Sequence, residues 1–283
     1  MENLEKGYFR VTIPRGQAEP TKPFLDKFSG KCGKISIRWE TLQPFSIVNG
    51  VLTLMKERDK TEALYRFYRL GDRLLFPGSS LKGMVRTYTA AIFGLNFADE
   101  LYGDCDYGSV DKDQNRSKNS INHASKIFFD DALLEKERLA KQPTMEAFSK
   151  NKTETNTFRI YQLKKSEEMK TPSYDMECLP KGVSFHTDIQ YMGLLDEHFH
   201  AFFLSLGLHS RYHFPLKCGR GKSTGYGAIK ASLEKVTQFD ENSPFSPLKD
   251  ITEATKKKLI EEPTLSSRES LDNLKTLHEK CNE

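Results

Sequence analysis

Residues 75–86 read LFPGSSLKGMVR, an apolar pair followed by Pro-Gly-Ser-Ser and then by the opening of a periodic apolar stripe. Leu81, Val85, Tyr88 and Ile92 recur at three- and four-residue spacing, the period of one face of an amphipathic helix. The stretch is a strand running into a helix, with Ser79 or Ser80 as the expected N-cap, since a serine oxygen at a helix start accepts a bond from an otherwise unpaired backbone N–H. Glycine and serine at a helix mouth also leave N–H groups able to face an anion, which the helix dipole favours. Lys82 and Arg86, four residues apart, share one face of that helix.

Strands flank this segment on both sides. Gly33–Leu42 alternates, with Ile35, Ile37 and Trp39 on one face and Ser36, Arg38 and Glu40 on the other, the pattern of a half-buried strand. Val183–Tyr191 alternates equally cleanly, Lys126–Phe129 is a short apolar run, and Tyr226–Val236 is a final alternating strand. A second helical stripe is formed by Leu195, Phe199, Phe202 and Leu206. The order is β-α-β, an insertion, then β-α-β, which predicts an α+β fold with a modified ferredoxin-like (RRM-like) βαββαβ core.

The insertions are polar. Asp104–Asn122 is rich in Asp, Asn, Ser and Lys and is expected to be a loop. Within 139–179, TFRIYQL (157–163) and PSYDMECL (172–179) are expected to pair as a projecting hairpin. From Gln238 the composition shifts through DENSPFSP to a charged helical tail, with a capping box at Ser266-x-x-Glu269 and a narrow stripe of Leu271, Leu274 and Leu277. The expected organisation is an N-terminal extension (1–32), a central domain (33–237) and a helical tail (238–283).

Composition excludes several classes. The 283 residues are 37% hydrophobic and 29% charged, enough for a core beneath a charged surface, with a net charge of +4. No run approaches the roughly 18 apolar residues of a membrane helix, and MENLEKGYFR lacks a secretory core, so a cytoplasmic protein is expected. The five cysteines are scattered without a C-x-x-C pair, which argues against a disulfide framework and gives a zinc site no support. The histidines include no H-E-x-x-H arrangement, and no G-x-S-x-G elbow is present.

Charge distribution is more telling than net charge. Basic residues alternate with aromatics in Tyr65-Arg66-Phe67-Tyr68-Arg69 and gather again around Arg211 and in Lys217–Lys222. Gly219-Arg-Gly-Lys-Ser-Thr-Gly-Tyr-Gly227 holds four glycines in nine residues, so its backbone can approach a ligand closely. Its Arg220, Lys222, Ser223 and Thr224 can donate to phosphate oxygens. The end of a nucleotide-binding P-loop is mimicked by Gly221-Lys-Ser, but Leu216 stands where its first glycine belongs and a strand pattern follows in place of a helix. The combined clusters point to a polyanion.

The ordered series resembles the repeat-associated mysterious protein (RAMP) superfamily of CRISPR effector subunits, and within it the Cas7-like backbone proteins of type III and type III-derived systems. Leu75–Arg86 is similar to that family's strand-to-helix signature, Ala124–Ala132 (ASKIFFDDA) to its next strand, Glu177–Phe185 (ECLPKGVSF) to its third, and Gly219–Gly227 to its terminal glycine-rich loop. The resemblance spans about Gly33–Val236. It implies a subunit that binds a guide (crRNA), stacks in several copies along it with other effector subunits, displaces bases with a hairpin thumb, and presents the guide to a complementary target RNA. Carried over by position, Ser79, Ser80, Lys82 and Arg86 would hold guide phosphates, and Gly219, Arg220, Gly221, Lys222, Ser223, Thr224 and Gly225 would flank them. Cutting members carry an aspartate between the first strand and Pro-Gly-Ser-Ser. Here Asp72 reads as a turn residue, and Asp59 in Lys56-Glu-Arg-Asp-Lys60 is the candidate for a metal-dependent endoribonuclease using magnesium or manganese. Its loop departs from the family's catalytic loop, so cleavage is expected to fall to a partner subunit.

Overall fold

The computed structural model describes residues 8–12, 30–57, 60–103, 124–134, 139–144, 157–161, 163, 174–240, 246–261 and 268–282. In chain order the strands β1 (Tyr8–Thr12), β2 (Lys31–Thr41), β3 (Val48–Glu57), β4 (Lys60–Phe67), β5 (Arg69–Leu70) and β6 (Arg73–Phe76) precede helices α1 (Gly78–Phe93) and α2 (Leu95–Tyr102). Next come β7 (Ile127–Phe129), β8 (Ala132–Leu134), β9 (Ala140–Thr144), β10 (Thr157–Tyr161), β11 (Tyr174–Cys178), β12 (Ser184–Leu194) and helix α3 (Asp196–Ser205). Strands β13 (Leu216–Lys217), β14 (Ala228–Gln238) and β15 (Lys249–Asp250) lead to helices α4 (Thr252–Lys258) and α5 (Arg268–Asn282). The architecture is mixed α+β.

The largest sheet has the order β13-β14-β2-β12-β7, with β15 beside β14, and every pairing in it is antiparallel. Its centre follows the alternation of the sequence. Ile35, Ile37 and Trp39 of β2 are fully buried and lie opposite Ile189, Thr187 and Phe185 of β12, while Lys34, Arg38 and Glu40 stay exposed. A two-residue period with one apolar set admits only this register, because a slip of one would put Trp39 in water. Helix α1 links β6 to the region before β7, α3 follows β12, and Leu81, Val85, Tyr88, Ile92, Phe199, Phe202 and Leu206 enter one core. Burying each such large side chain contributes about 1.5–3 kcal/mol, which holds both helices to the sheet. Leu274, Leu277 and Cys281 of α5 join the same core, so the charged tail is packed onto the body through its narrow apolar stripe. Among the described residues no helix is long and apolar enough to cross a membrane.

Two local expectations change. The residue capping α1 is Pro77 (φ −64°, ψ 132°), with no side-chain cap bond, and Ser79 and Ser80 lie inside the first turn. A different donor of the first turn is met from outside: Gly78 N–H donates to the Asp131 carboxylate at 2.7 Å. Nor do the two insertion segments pair with each other. TFRIY forms β10 and pairs with β1, and YDMEC forms β11 between β4 and β9 in a second sheet of order β3-β4-β11-β9. Each follows its own apolar residues: Ile160 packs with Phe9 and Val11 in the main core, whereas Met176 and Cys178 form a separate cluster with Tyr65 and Tyr226. The segments Asp104–Asn122, most of 145–173 and Ser266 lie outside the described residues.

Candidate nucleic-acid interface

The glycine-rich loop leaves β13 and returns as β14, and its two ends are tied together by Cys218 N–H donating to Gly227 O at 2.9 Å. It is also tied sideways to the chain before β3, through Arg220 N–H to Ser46 O (3.0 Å) and Gly227 N–H to Pro44 O (3.0 Å). These bonds bring backbone against backbone, which is where glycine becomes obligatory. Gly219 has φ +81°, and a Cβ there would stand 2.0 Å from Ser46 O; Gly227 has φ +83°, and its Cβ would stand 2.1 Å from Cys218 O. Between them Lys222–Thr224 make one 3-10 turn, and the buried Thr224 hydroxyl donates back to Gly221 O at 3.0 Å.

Beneath the loop sits a buried lysine. Lys217 is 5% exposed, and its Nζ donates to Gln43 Oε1 (2.7 Å), Tyr226 O (2.9 Å) and Lys222 O (3.4 Å). Its backbone N–H donates to the Tyr88 hydroxyl of α1 at 3.0 Å, joining loop base to helix. Burial pushes the Lys217 ammonium down to about 7. The same burial raises the neighbouring acids, Tyr88 well above its usual range and the Cys218 thiol to about 11.

A groove of about 560 Å³ runs between this loop and the flank of α1. Ser80, Gly83 and Thr87 present the helix side, Gly219, Arg220 and Lys222 the loop side, and Arg159 and Tyr161 of β10 a third wall. The described lining residues include four cationic side chains, Arg159, Lys217, Arg220 and Lys222, and no Asp or Glu. Three of these cations rest on tyrosine rings: Arg220 lies 3.7 Å above the Tyr65 ring centroid, Arg159 5.0 Å from that of Tyr8, and Lys222 5.1 Å from that of Tyr161. A ring orders a cation through its quadrupole and adds no negative charge of its own.

The residues singled out from sequence therefore divide. Ser80, Gly219, Arg220, Gly221, Lys222, Ser223, Thr224 and Gly225 are brought to the loop and its groove, though Thr224 is spent on the loop's own turn. Ser79 is exposed at the helix start. Lys82 and Arg86 are not among the groove's lining residues: Lys82 Nζ donates to Ser125 Oγ at 2.8 Å, and Arg86 forms an ion pair with Asp99 of α2. Asp131, already seated on Gly78 N–H, occupies the helix mouth where an anion was expected. Asp72 lies in the turn between β5 and β6, and Asp59 lies outside the described residues. Among the described residues no group of three or more His, Cys, Asp or Glu could hold a metal ion. Sequence reading missed Arg159 and Tyr161, and took Lys217 only as one member of a basic cluster. The alternation of Arg159 and Tyr161 in TFRIY put both on one strand face, but nothing in the pattern said which neighbour that strand would choose.

The profile of the RAMP superfamily matches residues 39–230. This chain belongs to the RAMP superfamily. The match takes in the end of β2 from Trp39, the LFPGSSLKGMVR stretch, α1 and the whole glycine-rich loop. Among solved structures it is similar, at 17% identity and a TM-score of 0.42, to a chain of the type III-B Cmr-beta complex bound to cognate target RNA, covering 74% of this chain and 61% of that one. It is also similar to Csc2 of Thermofilum pendens, at 11% identity and a TM-score of 0.40, covering 89% and 77% respectively. No curated protein matches the sequence.

Proposed function

We propose that this RAMP protein is a Cas7-like, guide-RNA-binding backbone subunit of a CRISPR effector. The observation that carries the reading is the groove itself: four cationic side chains, no described carboxylate, and a backbone that glycine brings to the surface. Such a wall attracts phosphodiesters through counterion release and offers no base-reading pattern. Ser80, Arg159, Arg220 and Lys222 are the proposed phosphate contacts, with Gly219–Gly225 setting their positions. The sheet order β14-β2-β12-β7, with α1 and α3 as the linking helices, supports a ferredoxin-like core of four strands ordered 4-1-3-2. Residues 33–237 would be that RNA-binding domain, with a thumb within 139–179, and copies would stack head to tail along the guide in a heterologous contact that other subunits cap.

The deciding experiment is to purify the protein from cells holding a CRISPR array and to sequence what comes with it. Guide RNA of uniform 5′ end is expected, with particle mass rising with guide length. Recovery of DNA alone, or of a two-fold dimer whose mass ignores RNA length, overturns the reading.

A further inference from the structure

Lys217 is a buried amine at the groove's edge whose three partners, an amide oxygen and two backbone carbonyls, are all neutral. No described carboxylate forms an ion pair with it. The ionisable groups that face it are Tyr88 from α1, Cys281 from α5, and Cys218, Lys222 and Tyr226 from the loop and its flanks. Burial raises Tyr88 and Tyr226 and takes Cys218 to about 11 and Cys281 to about 12, so at neutral pH none of these supplies an anion. A buried cation without a counter-ion is costly, and it holds its proton loosely. Its bonds to Lys222 O and Tyr226 O nevertheless span the 3-10 turn that begins at Lys222, two residues after Arg220, so the amine holds the loop behind the cationic wall from below.

We propose that Lys217 is the positioning residue of the glycine-rich loop and that a backbone phosphate entering the groove supplies its missing counter-charge, so that RNA binding takes up a proton. The inference rests on the RNA-binding reading above and adds its regulation. When the groove is empty, the amine loses its proton as pH rises through the neutral range, and two N–H donors are left to serve three acceptors. A phosphate within the same low-dielectric wall favours the ammonium, restores the third bond and tightens the loop on the ligand. Linkage then requires affinity to fall with rising pH where the free protein is neutral and the complex is charged.

The test uses the intact protein and a single-stranded RNA oligonucleotide with a 5′-hydroxyl, whose internal diesters do not titrate near neutrality. Calorimetry at pH 8 in two buffers of different ionisation enthalpy is expected to show uptake approaching about one proton per groove, vanishing near pH 6, with affinity falling up to ~10-fold per pH unit above 7. Lys217→Arg, always charged, should bind with a flat pH profile and no uptake, and Lys217→Met should bind more weakly, also without uptake. Arg220→Ala with Lys222→Ala should lower the salt dependence yet retain the uptake. Wild-type binding without proton uptake, or uptake that persists in Lys217→Arg, overturns the proposal while leaving the RNA reading intact. RNA binding that ignores salt overturns the reading beneath it. The wild-type and Lys217→Arg measurements decide the matter even where Lys217→Met fails to fold.

Discussion

Two basic clusters in this chain look alike in sequence and differ in structure. On α1, Lys82 and Arg86 are spaced to share a helix face, and both are engaged by that helix's own surroundings, Ser125 for the lysine and the Asp99 carboxylate for the arginine. In the loop, Arg220 and Lys222 are separated by one glycine and stand over the rings of Tyr65 and Tyr161. An aspartate partner cancels a charge locally, whereas a tyrosine partner orders the cation and leaves its charge in the field. Equal counts of arginine and lysine thus give one site that staples two helices and another whose side chains rest on rings and line a groove. Under the proposed function, where the side chains are placed, more than the number of basic residues, separates a structural cluster from a binding one.

The most severe way to break this comparison is to deform the loop. Gly219→Val would force a β-branched side chain to φ +81° with its Cβ against Ser46 O. Strain of this kind costs on the order of 3 kcal/mol or more, and the backbone contact to residue 46 would be lost with it. A clear drop in the urea midpoint and a loss of RNA binding in whatever remains folded are expected; unchanged stability would mean that the loop is not pinned as described.

Two double mutants sharpen the comparison directly. With a single-stranded RNA, Arg220→Ala with Lys222→Ala should flatten the plot of log affinity against log salt by about 1.4, two phosphate contacts at ~0.7 each. Lys82→Ala with Arg86→Ala should leave that slope nearly unchanged and instead lower the urea midpoint, since Asp99, only 15% exposed, would lose its guanidinium partner at a cost of about 1–3 kcal/mol. If the helix pair sets the salt slope and the loop pair sets stability, the assignment of roles is reversed.

Much of this was readable beforehand, and the failures have physical causes. The strands around Trp39 and Phe185 and the stripe of Leu81, Val85, Tyr88 and Ile92 are legible because a period of two or of three to four residues is a local property, and burial respects it. The loop's glycines are legible for the same reason. What is not local is which strand lies beside which: Arg159 and Tyr161 reach the groove only because β10 pairs with β1, from a segment before the family match, and no pattern inside TFRIY encodes that choice. Asp131 and Asp99 are likewise distant in sequence from the donors they satisfy, so a helix mouth and a basic face that look vacant in the sequence are filled in the fold. In the sequence Lys217 is one member of a basic cluster, and only the three acceptors converging on it show that it is buried beneath the loop.

The pH dependence of stability separates the loop's buried cation from its exposed ones. Lys217 is lowered by burial from an ordinary value of 10.5 to about 7, so between those pH values the unfolded chain holds a proton that the folded chain has released. Stability contributed at this site therefore rises with pH through that window and is lowest below about 7, where a charged amine must be buried. Chemical denaturation of wild type and Lys217→Met from pH 6 to 10 should show wild type losing stability relative to the mutant as pH falls from 10 towards 7; a constant difference would mean that the amine is not titrating in the folded protein.

The smallest expected effect concerns the rings. Tyr161 contributes its face to Lys222 and a wall to the groove, and its hydroxyl is not required for either, while burial keeps its phenol above the usual range and hence neutral. Tyr161→Phe should therefore bind RNA as wild type does. Tyr161→Leu keeps apolar volume but removes the quadrupole that orders Lys222, and at a partly exposed site that is a loss of roughly 0.5–1 kcal/mol, about two- to fivefold in affinity. Because the charge itself remains, the salt slope should not move; only the intercept should. A Tyr161→Leu variant that flattened the salt dependence would show that the ring places the cation on a phosphate rather than merely steadying it, and equal losses in Tyr161→Phe and Tyr161→Leu would assign the effect to the hydroxyl and remove the ring from the comparison.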